Sequence, residues 1–230
     1  MSGLRRVVLA FALAAAVQPT AAQVPPSPAE VAAYRGMHAA AHQGDVATIG
    51  RLAGESPAQL ESRDPHGRTP LHVATFARQR GAVQALLKSG ANHVALEAGR
   101  YDAVTIAAVA NDEKTLRLLL SAGASASLVT SRYDGTALIA AAHLGHSGVV
   151  RQLIVAGAPL DHVNNLHWTA LVEAIVLGDG GPRHQDTLQA LLDAGASTAL
   201  TDREGRTPLQ LARVRGYEPM VRALLASGAR

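Results

Sequence analysis

The stretch DPHGRTPLHVA, Asp64 to Ala74, returns near the end of the chain as DREGRTPLQLA, Asp202 to Ala212. If the two copies mark a fixed period, weaker copies must lie between them at even spacing, because repeat architectures stack one supersecondary unit many times. They do. From Thr69 a step of 33 reaches Asp102 in YDAVTIAA, 34 more reaches Thr136 in GTALIAAA, 33 more reaches Thr169 in WTALVEA, and 38 more reaches Thr207. The tails keep the same time: LLKSGA from Leu86, LLSAGA from Leu119, LIVAGA from Leu153, LLDAGA from Leu191 and LLASGA from Leu224. Upstream, MHAAAHQGDVATIGRLA, Met37 to Ala53, carries the Ala-Ala-x-x-Gly pattern without a preceding Thr-Pro turn, and reads as a degenerate first repeat or cap.

The period near 33, the Thr-Pro-Leu-His-x-Ala signature and the Leu-Leu-x-x-Gly-Ala ending resemble the ankyrin repeat family, in which each unit is a turn followed by two antiparallel helices. The resemblance spans residues 29–230 as about six repeats, the first and last acting as caps, and implies an all-α solenoid with short turn or hairpin tips. Local chemistry agrees with that assignment. Thr69 can cap a helix through its hydroxyl with Pro70 at the first helical position, where no amide hydrogen is needed. Gly90, Gly123, Gly157, Gly195 and Gly228 each follow a Leu-rich run, as a left-handed helix stop requires. Small alanines let paired helices approach closely while Leu, Ile and Val fill the layer between units. The 48% hydrophobic content with few aromatics gives a shallow aliphatic core spread along the stack.

The first 22 residues, MSGLRRVVLAFALAAAVQPTAA, have a different logic: two arginines, an apolar run and small residues at Thr20 and Ala22. This is the layout of a secretory signal peptide cleaved after Ala22. The apolar run is shorter than the roughly 20 residues of a spanning helix. The expectation is a periplasmic or secreted product without membrane insertion. Its start, residues 23–28, is a Pro-rich linker expected to be mobile, followed by the Ser27-x-x-Glu30 capping box. Cleavage takes two arginines and no acid from the 21 basic and 18 acidic residues, leaving 19 against 18. Near-neutrality argues against nucleic acid as a partner, which calls for a concentrated basic patch. With no cysteines, stability must come from stacking alone.

No Gly-rich phosphate loop, nucleophile elbow or zinc-protease motif is present, so neither an enzyme nor a cofactor is expected. Ten histidines raise metal binding as the alternative, because His38 and His42 stand at i, i+4 and His143 and His146 at i, i+3. A metal site needs a converging third ligand, and histidine at the position of His72 in the family makes local hydrogen bonds. Function is therefore sought in a surface. In ankyrin-like stacks the binding face combines the turn tips with the first helix of each pair. The residue before each signature Thr runs Arg68, Tyr101, Gly135, Trp168, Arg206, and neighbouring positions add His66, Arg132, Tyr133, Phe76 and His143. Trp, Tyr and Arg most often dominate interface energy. This column is expected to form a ridge, dipping at Gly135, on which a monomeric chain holds an unidentified protein partner. The five-residue excess in LGDGGPRHQD, Leu177 to Asp186, is expected to be a loop, since Gly180, Gly181 and Pro182 oppose a helical extension.

Overall fold

A computed structural model describes residues 23–230, and the expected signal peptide, on residues 1–22, lies outside them. Thirteen α-helices follow one another in the described residues, with no strand and a single bridge between Thr130 and Gly135. A short α1 (Pro28–Ala33) precedes six helix pairs: α2 (Gly36–Gln43) with α3 (Val46–Glu55), α4 (Pro70–Phe76) with α5 (Arg80–Lys88), and α6 (Ala103–Val109) with α7 (Glu113–Ser121). The remaining pairs are α8 (Ala137–His143) with α9 (Ser147–Val155), α10 (Ala170–Val176) with α11 (Pro182–Asp193), and α12 (Pro208–Val214) with α13 (Glu218–Ala226). First helices contact first helices of adjacent pairs, and second helices contact second helices, so the stack has an inner row and an outer row. No helix among the described residues is long and apolar enough to cross a membrane.

From the second pair onward each inner helix starts in the same way, whereas α2 follows Arg35 without a side-chain cap. Thr69, Asp102, Thr136, Thr169 and Thr207 all accept from the amide three residues on, satisfying a donor that has no partner inside the helix. His72 does more. Its Nδ1 accepts from the Thr69 amide at 3.0 Å, which leaves Nε2 to donate to the carbonyls of Ala95 and Tyr101 at 3.0 and 3.2 Å. One imidazole thus starts α4 and ties it to the next turn.

The outer helices from α5 onward also stop in the same way, whereas α3 ends at an extended Ser56. Ala91, Ala124, Ala158, Ala196 and Ala229 donate to the carbonyls of Leu86, Leu119, Leu153, Leu191 and Leu224, across a glycine of positive φ. This is the Schellman closure, in which the left-handed residue lets the last carbonyls find partners. The same leucines, all fully buried, form the seam between the rows. Ala74, Ala108, Ala141, Ala142, Ala174 and Ala212 are equally buried and let the helices approach.

Two segments depart from the sequence-based expectation. Residues 23–27 are docked against the first tip: the Val24 carbonyl accepts from Arg68 Nη1 at 3.1 Å, and the Ser27–Glu30 capping box is formed. The excess in the fifth unit is largely helical. Pro182 stands at the first position of α11, where a proline costs no hydrogen bond, and lengthens that helix to 12 residues against nine in α5, α7, α9 and α13. Only residues 177–181 form a loop, pinned by Tyr217, whose hydroxyl donates to the Gly178 carbonyl at 2.9 Å.

Two expected outcomes follow from these ends. Gly157 has φ +80° with open space around its missing Cβ, so Gly157→Val meets backbone strain rather than a clash and should destabilise by at least ~1 kcal/mol, read as a lower melting temperature. Burial pushes the His72 pKa from 6.5 down to about 4. As pH falls the unfolded chain takes up this proton first, so the contribution of the neutral ring is complete above pH 6.5 and is lost between 6.5 and about 4, roughly 3 kcal/mol in all. His72→Gln removes that titration while keeping the cap, because Gln210 already exchanges the same bonds with Thr207. Urea melts from pH 7 to 4 should therefore fall less steeply for His72→Gln than for the parent chain, although its stability at pH 7 is lower.

Candidate functional site

The tips that precede the inner helices are built by one recurring side-chain device. Asp64 Oδ1 accepts from the amides of His66 and Arg68, Asn164 Oδ1 from Leu166 and Trp168, and Asp202 Oδ1 from Glu204 and Arg206. The third unit uses Glu97, whose Oε1 takes the Tyr101 amide at 3.1 Å. The fourth tip is one residue longer, closed from Thr130 to Gly135, which accounts for the step of 34 in the repeat. Neighbouring tips are joined through backbone: Ala98 to the His66 carbonyl, Ser131 to that of Arg100, and Asn165 to that of Tyr133.

This scaffold divides the expected ridge. Arg68 does not project outward. It is 1% exposed, its Nε donating to Asp64 Oδ2 at 2.6 Å and its Nη2 to Glu30, beneath the docked segment. Tyr34 adds its hydroxyl to the same Asp64 oxygen at 2.7 Å. Burial alone would raise the Asp64 carboxyl, but Tyr34 and Arg68 outweigh it and hold it below the ordinary carboxylate range. His66 is exposed and stands 3.1 Å from Glu30, at the edge of this cluster. At the far end Arg206 is exposed and folds back on Asp202 and Glu204. Phe76 is half-buried on α4, apart from the groove described next, and Arg132 is exposed on the fourth tip. Of the eight expected contact residues, the structure brings together Tyr101, Tyr133 and Trp168.

These three line one groove of about 480 Å³ on the inner row, with Gly135 and His143, both singled out in the sequence, beside them. Tyr101, Thr105 and Val109 form one wall, and Trp168, Glu173 and Leu177 the other. Ile139, Ala140 and Gly135 of the fourth unit lie between. The trough exists because that unit is small where its neighbours are large: Gly135 stands in register with Tyr101 and Trp168, and Ala140 with Val73, Ile106 and Leu211.

Glu173 occupies that same register position in the fifth unit, so a carboxylate replaces an aliphatic side chain. It is buried, with Oε1 accepting from Asn164 Nδ2 at 2.8 Å and Oε2 3.3 Å from His143 Nδ1. Single-residue motif reading passes over Glu173; aligning the repeats column by column exposes it. Tyr101 keeps its hydroxyl protonated, since burial and then Glu97 raise its pKa.

The histidine pairs do not converge. His38 Nε2 lies 2.9 Å from the Arg68 carbonyl and its Nδ1 faces Ser62, while the His42 ring lies tilted at 56° to that of Tyr34. His143 turns to Glu173 but His146 turns its Nδ1 to the Ala108 carbonyl at 3.0 Å. Among the described residues no group of three metal-ligating side chains is assembled.

Comparison with known proteins agrees with this geometry. A family model described as ankyrin repeats in three copies matches residues 104–202, and the single ankyrin repeat model matches 66–98 and 204–230. The ankyrin repeat protein YahD of Escherichia coli K12 is 36% identical over 191 residues, covering 83% of this chain and 94% of that protein. An ankyrin repeat domain from Acinetobacter baumannii AYE, solved by crystallography, superposes with a TM-score of 0.79 at 42% identity, covering 84% of this chain and 98% of that one. The mouse B-cell lymphoma 3 protein homolog is 31% identical over 202 residues, 84% of this chain but only 44% of that protein. The chain belongs to the ankyrin repeat family, whose repeats are protein–protein interaction modules and generally non-catalytic.

The two arginines of the expected ridge should respond differently to removal. Arg68→Ala leaves Asp64 buried without its cation and should cost about 3–5 kcal/mol in chemical denaturation. Arg206→Ala also removes the cation from a buried carboxylate, Asp202, but Arg206 itself is solvent-exposed, so the loss should be smaller than for Arg68→Ala in the same measurement.

Proposed function

We propose that this chain is a non-catalytic binding module exported to the cell envelope, where as a monomer it holds or protects a partner protein seated on the inner-row groove. The observation that carries this reading is the groove itself. A trough of about 480 Å³ opens in the middle of the stack, and three of the six aromatic residues that follow residue 22 line it. Tyr and Trp supply large, rigid contact area at low conformational cost, and binding energy concentrates on such residues at the centre of interfaces. Export rests on the arginine, apolar and small-residue order of residues 5–22. The likeness to YahD supports a bacterial module of this size, since the match covers 94% of that protein.

Two measurements test the reading. Mass spectrometry of the exported product should find Gln23 at its N-terminus, and an intact Met1 on a membrane-bound form would overturn export. Pull-down from periplasmic extract, with the chain from residue 23 as bait, should recover a partner. Trp168→Ala or Tyr101→Ala should weaken that partner's binding by ~2 kcal/mol or more, roughly thirtyfold, with circular dichroism unchanged. Arg183→Ala, exposed in the first turn of α11, is the control and should bind normally. Loss of binding on Arg183→Ala with retention on Trp168→Ala would place the partner on the outer row.

A further inference from the structure

The groove is not uniformly apolar, and its one buried charge defines what it accepts. Glu173 lies in a column that otherwise reads Val73, Ile106, Ala140 and Leu211, so no packing rule of the repeat calls for a carboxylate there. It is buried beside apolar walls and receives only the Asn164 amide and the edge of His143. A carboxylate has room for about four hydrogen bonds. Burying one costs free energy unless it is paired and fully bonded. Across the trough, Tyr101 and Tyr133 present ring surface, and Trp168 flanks the carboxylate on its own wall. At the groove edge, the side-chain amide of Gln23 has its Nε2 buried with no acceptor among the described residues.

We infer that the groove is the seat of an arginine side chain, carried on an extended apolar segment of the partner protein. Its guanidinium reaches Glu173 across the step left by Ala140, and its aliphatic stem lies between the Tyr101 and Trp168 walls. Charge complementarity selects a cation. Arginine is favoured over lysine because its guanidinium is less strongly hydrated, stacks on aromatic faces, and offers five donors to a carboxylate with unfilled acceptor sites. Small residues at positions 135 and 140 make the depression, the aromatic walls hold the flanking apolar residues, and the buried carboxylate selects the head group. This deepens the reading that the groove is the partner's seat and rests on it.

Trp168 is the only tryptophan of the chain and lines the groove, so its fluorescence reports occupancy directly. The probes are blocked tripeptides: acetyl-Val-Arg-Val-amide, and the same peptide with lysine or norleucine at the centre. The chain from residue 23 should bind the arginine peptide at least tenfold more tightly than the norleucine peptide, and more tightly than the lysine peptide. In Glu173→Gln the arginine-to-norleucine ratio should collapse to about one. Ala140→Leu, which copies the residue at position 211 and fills the step, should weaken all three peptides at least tenfold while the circular dichroism melt is retained. A norleucine peptide that binds as tightly as the arginine peptide, an unchanged ratio in Glu173→Gln, or no fluorescence response to any peptide at millimolar concentration would overturn the proposal. A lysine peptide equal to arginine overturns the guanidinium preference. Should Glu173→Gln fail to fold, the wild-type ratio and Ala140→Leu still decide. The two levels separate cleanly: a partner lost by Trp168→Ala but kept by Glu173→Gln leaves the groove reading in place and removes the arginine.

Discussion

Everything on the inner row depends on a side-chain oxygen that grips the backbone of each tip. Where Asp64, Asn164 or Asp202 accepts from the amides two and four residues ahead, the chain is turned so that the next residue begins a helix. The turned amides would otherwise compete for water and let the tip wander. The same grip fixes the direction of the side chain at the end of the tip. Trp168 faces the groove because Asn164 holds its amide, and Tyr101 does so because Glu97 holds its own. Asn164 then spends its remaining nitrogen on Glu173, so one side chain both shapes the turn and orients the buried acid.

The groove itself is made of departures from the repeat. A perfect stack would present an even aliphatic surface, because equivalent residues would lie side by side at every level. The fourth unit breaks that evenness with an extra tip residue, Gly135 and Ala140, and the fifth with Trp168 and Glu173. The longer α11 supports this corner from behind: His184 Nε2 lies 3.0 Å from the His143 carbonyl and its Nδ1 2.7 Å from Asp179. The five-residue excess thus packs against the helix that bears a groove residue.

What was legible in the sequence divides along the range of the interactions responsible. Helix starts and stops depend on atoms three to five residues apart, and the Thr and Gly columns therefore marked them correctly in all five signature-bearing units. The groove on the inner row was legible in part, through Tyr101, Tyr133 and Trp168, which line it together. Arg68 was misread because its burial is set by Glu30 and Val24, 38 and 44 residues away, which no spacing rule connects to it. The Gly-Gly-Pro loop was misread because proline forbids the interior of a helix but favours its first position, and the choice between these depends on where α11 docks. Glu173 went unseen since it belongs to no motif; its oddness exists only relative to the same position in the other units.

The tip-to-tip backbone bonds carry a consequence for how the molecule comes apart. They join the second unit to the third, the third to the fourth and the fourth to the fifth, but the last junction has none among the described residues; there Arg203 reaches the Asn165 carbonyl with its side chain alone. In a linear array where each unit is held only by its neighbours, opening is cheapest at the end with the fewest ties. The opposite end is closed by α1, the docked segment and the Arg68 cluster. The ties are therefore uneven along the array: the groove of units three to five lies inside the stretch that backbone bonds lock tip to tip, and the amides of the sixth unit, beyond that stretch, exchange with solvent before those that line the groove.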